Sequence, residues 1–79
     1  MDNVVCVEVA HGSDNLRLMA VYAGTVDDVI TSIQKEYKHK PGPIDYVINR
    51  VAPSLVWLSV THSLTTVTYR IMERIVKKP

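Results

Sequence analysis

The stretch that decides the fold reads VVCVEVAHGSDNLRLMAVYA over residues 4–23 and TVDDVITSIQKEY over residues 25–37. In the first part, two β-branched and apolar runs flank Gly12 and Ser13. This pattern is typical of an antiparallel β-hairpin, because glycine tolerates the positive φ that a tight turn requires. The second part has the spacing of an amphipathic helix. Together they predict an α+β domain with a helix folded onto an antiparallel sheet.

A two-residue loop at Gly12 and Ser13 fixes which hairpin residues lie opposite one another. In that register Val7 pairs with Leu18, and Glu8 pairs with Arg17. The odd-numbered valines of the first strand then face the core. The opposite face combines the Glu8–Arg17 pair with two apolar pairs, which are Cys6 with Met19 and Val4 with Val21.

The helix after the hairpin has clear start and stop signals. Thr25 is a good N-cap, and Asp28 stands three residues later, in the position of a capping box. The prolines at 41 and 43 end the helix by His39, so we expect a helix over residues 25–39. One face of this helix carries the apolar residues Val26, Val29, Ile30, Ile33 and Tyr37.

The next segment predicts a second, shorter helix over residues 43–51 and then a strand. Pro43 suits the first position of a helix, and Pro53 closes the segment. Its apolar residues repeat the helical spacing at Ile44, Val47, Ile48 and Val51. Residues 55–61 follow as a strand, with Leu55, Trp57 and Ser59 on one face.

The C-terminal segment supports two interpretations. Residues 65–68 are β-branched and favour a strand, whereas charged and apolar residues further on fall at helical spacing. The segment is therefore a strand to Thr68 followed by a helix, or one long strand that pairs with residues 55–61 and carries a bulge at Met72 and Glu73. The expected fold is a single α+β domain over residues 1–79. It combines a small antiparallel sheet, made of the N-terminal hairpin plus at least one further strand, with helix 25–39, helix 43–51 and a C-terminal helix or strand.

The composition limits the classes of protein to which the chain can belong. The chain has 79 residues, of which 47% are hydrophobic, and a net charge of +1. These values are typical of one small globular domain and argue against disorder. We find no apolar run long enough to span a membrane and no secretory signal. Cys6 is the single cysteine and cannot form an internal disulfide, so we expect an intracellular, reducing, cytoplasmic location without membrane binding.

The chemistry-bearing residues do not indicate an enzyme. The three histidines, His11, His39 and His62, stand beside turns or element ends, without the spacing of a zinc site. Cys6 lies within a strand between two valines, where cysteine behaves as a small apolar residue. No phosphate-binding loop or nucleophile motif occurs. We therefore expect no catalytic residues, no metal and no cofactor.

Trp57 indicates a contact surface for another protein or for a second copy of the chain. Its phase in the strand places it on the outer sheet face, and tryptophan is enriched where proteins meet. The alternatives are that the strand phase is reversed, so that Trp57 lies in the core, or that the C-terminal segment covers this face. The predicted interface residues are Trp57, Met19, Cys6, Val4 and Val21.

The expected function is a non-enzymatic protein-binding module that self-associates, such as a small viral or phage factor that binds and inhibits a host protein. The alternative function is nucleic-acid binding through the basic C-terminal end. The residues expected to contact phosphates in that case are Arg70, Arg74, Lys77 and Lys78.

Overall fold

The computed structural model describes residues 2–76 of the chain. The elements are strand β1 (Asp2–His11), strand β2 (Arg17–Ala23), helix α1 (Val26–Tyr37), strand β3 (Ile44–Ala52), strand β4 (Leu55–His62) and strand β5 (Thr65–Val76). The five strands form one antiparallel sheet in the order β2-β1-β5-β4-β3. Two hairpins therefore flank β5, and α1 connects the two edge strands β2 and β3.

The core lies between α1 and one face of the sheet. The predicted apolar face of the helix is confirmed, since all five of its residues are buried. The inward orientation of the valines in β1 is confirmed as well. The sheet contributes to this core Val5, Val7, Val9, Val56, Leu58, Val60, Val67, Tyr69 and Ile71.

One hydrogen bond inside this core joins the helix to the central strand. The hydroxyls of Tyr37 and Tyr69 lie 2.9 Å apart and are both buried. Burial, and after it the hydrogen bond with Tyr37, raises the pKa of Tyr69 above its usual value. The phenol of Tyr69 thus stays neutral under all ordinary conditions.

The N-terminus of α1 has the predicted capping box. The Thr25 hydroxyl accepts a hydrogen bond from the backbone N–H of Asp28 at 3.2 Å. The Asp28 carboxylate in turn accepts one from the backbone N–H of Thr25 at 3.3 Å. The helix ends at Tyr37, two residues before the predicted end, and Lys38 caps it by donating its N–H to the carbonyl of Gln34.

The predicted helix over residues 43–51 is wrong, because this segment is the edge strand β3. Its register with β4 pairs Tyr46 with Val60 and Ile48 with Leu58. The helical spacing of the apolar residues is outweighed by this pairing and by the high β propensity of the valines and isoleucines. Ile44 and Tyr46, two residues apart as a strand requires, pack against the core.

The predicted C-terminal helix is also wrong over the described residues, since Thr65–Val76 is one continuous strand. The alternative of a hairpin with residues 55–61 is the arrangement found, but without the expected bulge, because the pairing runs unbroken from His62–Thr65 to Leu55–Met72. β5 is the central strand and carries apolar side chains on both faces. The strand alternates from Thr66 to Ile71, and Met72 is the apolar residue on the face opposite α1 that breaks this alternation.

The predicted register of the first hairpin is wrong as well. Val7 lies opposite Ala20, and Glu8 lies opposite Leu18. Gly12 has a φ of +60°, but its N–H bonds to the carbonyl of Thr66 in β5, and a longer loop replaces the two-residue turn. A bulge at Met19 absorbs the resulting irregularity in β2.

Candidate functional site

The candidate site is the open face, which we define as the sheet face opposite α1. Because directly opposed residues in an antiparallel pair share a face, the register assigns every strand residue to one side. All described residues outside the sheet lie in α1 or in the connecting loops, and α1 packs on the core face. The C-terminal segment, as far as Val76, lies within the sheet as β5, so the alternative that it covers this face is wrong for these residues.

An apolar row crosses four of the five strands on the open face. The register places Val21, Cys6, Met72 and Leu55 side by side, from β2 through β1 and β5 to β4. Val21 is 55% exposed, and the other three side chains are half-buried. A solvent-exposed face of an antiparallel sheet ordinarily carries polar residues at such positions. A face that contacts only water would not be expected to carry this apolar row.

A second row, which we call the charged row, runs parallel to the apolar row and lies two residues away from it along β1, β4 and β5. It consists of Leu18, Glu8, Arg70, Trp57 and Asn49. The guanidinium of Arg70 donates to the Glu8 carboxylate at 2.8 Å and lies 6.0 Å from the centre of the Trp57 ring. A cation at this distance from an indole is attracted by the ring. Glu8, Arg70 and Trp57 thus hold one another in place at the middle of the open face.

The structure brings together four of the five predicted interface residues. Trp57, Cys6, Val4 and Val21 all lie on the open face by their register. Met19 is the exception, because the bulge turns it toward the other side of the sheet. There it lines a small cavity of about 100 Å³ beside α1, together with Tyr22, Val29 and Ile33.

Sequence reasoning missed Met72, Leu55 and Leu18 as members of this surface. Leu55 shares the phase of Trp57, two residues away, and this signal was already present in the strand pattern. Met72 could be placed only by extending the strand phase through Thr68 and Arg70 into the segment expected to be helical. The predicted register places Leu18 on the core face, whereas its actual pairing with Glu8 places it on the open face.

The predicted phosphate-contacting residues do not share a helical face. Arg70 is half-buried and engaged by Glu8. Arg74 is exposed on the same sheet face, but four residues along a strand separate the two by about 13 Å. Lys77 and Lys78 lie outside the described residues. Arg70 and Arg74 therefore do not form the basic cluster that they would form on one face of a helix.

Other candidate chemistry is sparse in the part of the chain that the structure describes. Cys6 is a free, half-buried thiol. No three His, Cys, Asp or Glu side chains among residues 2–76 lie close enough together to hold a metal ion. Within the same residues, no helix is long and apolar enough to cross a membrane.

Comparison with known proteins gives no assignment for this surface. Neither a family model, nor a curated protein, nor a solved structure matches the chain significantly.

Proposed function

We propose that the chain is a non-enzymatic protein-binding module, that the open face is its contact surface, and that it self-associates through this face. The observation that carries the proposal is the apolar row across an uncovered sheet. Protein surfaces rarely expose contiguous apolar patches unless something binds there. The neighbouring Trp57 adds the residue type that most often dominates binding energy.

The charged row supports a second copy as the partner. Glu8 and Arg70 stand side by side near the middle of the open face, so that a copy turned by 180° can place each charge opposite its counterpart. Such a two-fold contact uses the same patch on both molecules. A chain of 79 residues buries a small core, and dimerisation would add to its stability.

A function of inhibiting a host protein, as a small viral or phage factor, is compatible with the same surface. An inhibitor of this kind needs only to occupy a surface of its target. In that case the apolar row and Trp57 would form the contact.

Sedimentation equilibrium of two matched leucine variants tests the proposal. Leu18 is 65% exposed on the open face, and Leu64 is fully exposed in the turn between β4 and β5. Leu18→Lys places an ammonium group opposite the Glu8 carboxylate on the neighbouring strand. We therefore expect the fold to be kept while the apolar contact is lost. Leu64→Lys makes the same chemical change away from the open face.

We expect the wild type and Leu64→Lys to dimerise with the same Kd, and Leu18→Lys to remain monomeric. Trp57→Ala should weaken the dimer by about 2 kcal/mol or more. A wild-type chain that stays monomeric at millimolar concentration would refute the self-association. Equal dissociation constants for the two leucine variants would place the contact elsewhere.

A further inference from the structure

A groove on the core side of the molecule runs between the second half of α1 and the beginning of β3. We call it the lysine groove, because Lys35, Lys38 and Lys40 line it. Its volume is about 490 Å³, and Ile44 and Tyr46 of β3 contribute apolar surface. The volume lies within the range of sites that bind small molecules, which is about 300–1,000 Å³.

The lysine groove concentrates positive charge that nothing among the described residues neutralises. No carboxylate lines it. The two ion pairs found among residues 2–76 are Arg50 with Asp27 and Arg70 with Glu8, and neither involves a groove lysine. The groove is open to solvent, and an anion bound among its three lysines would be attracted by all of them.

The three groove lysines lie in or just beyond the last turn of α1, and Lys40 extends their positive charge past the end of the helix. Lys35 lies in the last turn of α1, where a base is ordinarily favourable. Lys40 lies beyond the end of the helix, in the loop that leads to β3, and still lines the groove. Its ammonium lies 5.1 Å from the centre of the ring of Tyr37, a residue that does not itself line the groove.

Tyr46 provides a fixed aromatic surface beside the lysines. Its hydroxyl donates to the backbone carbonyl of Gln34 at 3.4 Å, and its side chain packs against the core. A ring anchored in this way loses little freedom when a ligand stacks on it. The groove therefore offers phosphate-binding cations and an apolar, aromatic surface within one small space.

We infer that the lysine groove binds a small phosphorylated ligand with a flat ring, namely a nucleoside phosphate. The ammonium groups of Lys35, Lys38 and Lys40 bind the phosphates, and Tyr46 and Ile44 contact the ring. The groove and the open face lie on opposite sides of the sheet, so this inference does not depend on the proposed function.

Isothermal titration calorimetry with three probes tests the inference. The probes are adenosine diphosphate, inorganic pyrophosphate and adenosine, each at the same ionic strength and without divalent cations. We expect adenosine diphosphate to bind more tightly than pyrophosphate, and adenosine to bind weakly or not at all. Equal affinity for the diphosphate and pyrophosphate would show that Tyr46 and Ile44 play no part, and would overturn the nucleoside assignment.

Two double variants with the same loss of charge separate the groove from general electrostatics. Lys35→Gln/Lys38→Gln removes two groove cations, whereas Arg17→Gln/Arg74→Gln removes two exposed cations that do not line it. All four side chains are exposed, so we expect both variants to fold, and unchanged Tm values would confirm this. The lysine variant should lose about tenfold in affinity for each lysine removed.

A control variant that binds adenosine diphosphate as weakly as the lysine variant would overturn the inference, since attraction by net charge would then explain the binding. No heat of binding for adenosine diphosphate with the wild type would overturn it as well. A single-stranded oligonucleotide that binds the wild type more tightly than adenosine diphosphate would identify the groove as part of a nucleic-acid surface instead.

Discussion

The cost of truncating α1 in the core should differ between two isoleucines that are buried to the same degree. Ile30 and Ile33 are each 5% exposed and both contact the sheet core. Ile33 also borders the cavity of about 100 Å³ beside β2, whereas Ile30 does not. Replacing a buried isoleucine by alanine costs about 2–5 kcal/mol, and the amount depends on how far the surroundings can fill the space left behind.

At Ile33 the new space would join an existing opening, and Met19 borders that opening with an unbranched, flexible side chain. We therefore expect about 2–3 kcal/mol for Ile33→Ala and about 4 kcal/mol for Ile30→Ala. Urea denaturation measures both, with Thr31→Ala, at an exposed position of α1 that does not border this cavity, as the control. An Ile33→Ala variant that loses as much stability as Ile30→Ala would refute the reasoning, and one that loses none would show that α1 is not docked on this core.

Three further predictions follow from the fold. Thr25→Ala removes one half of the capping box with Asp28 and should lower the free energy of unfolding by about 1 kcal/mol, measured by urea denaturation; no change would mean that the cap does not hold the helix end. Because burial raises the pKa of Tyr69, the folded protein holds this proton more tightly than the unfolded chain. The stability linked to Tyr69 is complete below about pH 10 and decreases as the pH rises above it, so the Tm of Tyr37→Phe/Tyr69→Phe should decline less than that of the wild type in alkaline thermal melts. Fluorescence anisotropy should show no tight binding of duplex or single-stranded nucleic acid at physiological salt. Binding with a Kd of about 10⁻⁸ M would support the alternative function, provided that it is lost when the basic tail residues are changed to glutamate. These residues are Arg70, Arg74, Lys77 and Lys78.

The parts of the fold that local periodicity determines could be predicted from the sequence. The inward valines of β1 follow a period of two, and the buried stripe of α1 follows a period near 3.6. The capping box is likewise a local signal, because the Thr25 and Asp28 side chains act within one turn. Each of these features depends on residues that are neighbours in the chain.

The wrong predictions concern features that are decided by pairing between strands. Residues 44–52 carry both helical and strand spacing, and hydrogen bonding to β4 selects the strand. β5 alternates from Thr66 to Ile71 but loses this pattern at Met72 and Glu73, and its partner β1 is at the other end of the described chain. A bulge moves Met19 off the open face, and it accompanies the longer loop after Gly12. The N–H of Gly12 donates to the carbonyl of Thr66 in β5. The periodicity within one segment does not show which strand that segment will pair with, or in which register.

The strand order also sets how the chain must fold. The hairpin of β1 and β2 and the hairpin of β3 and β4 have no hydrogen bonds to each other and are joined within the sheet only through β5. β1 pairs along its whole length with β5, which requires closing a loop that contains nearly all the other elements. Contacts of such long sequence separation slow the search for the native state. Because β5 pairs with β4 across the turn at Ser63 and Leu64, the long-range step is the pairing of β1 with β5. Before that step the facing edges of β1 and β5 are unpaired, so its rate governs how long the chain is at risk of aggregation.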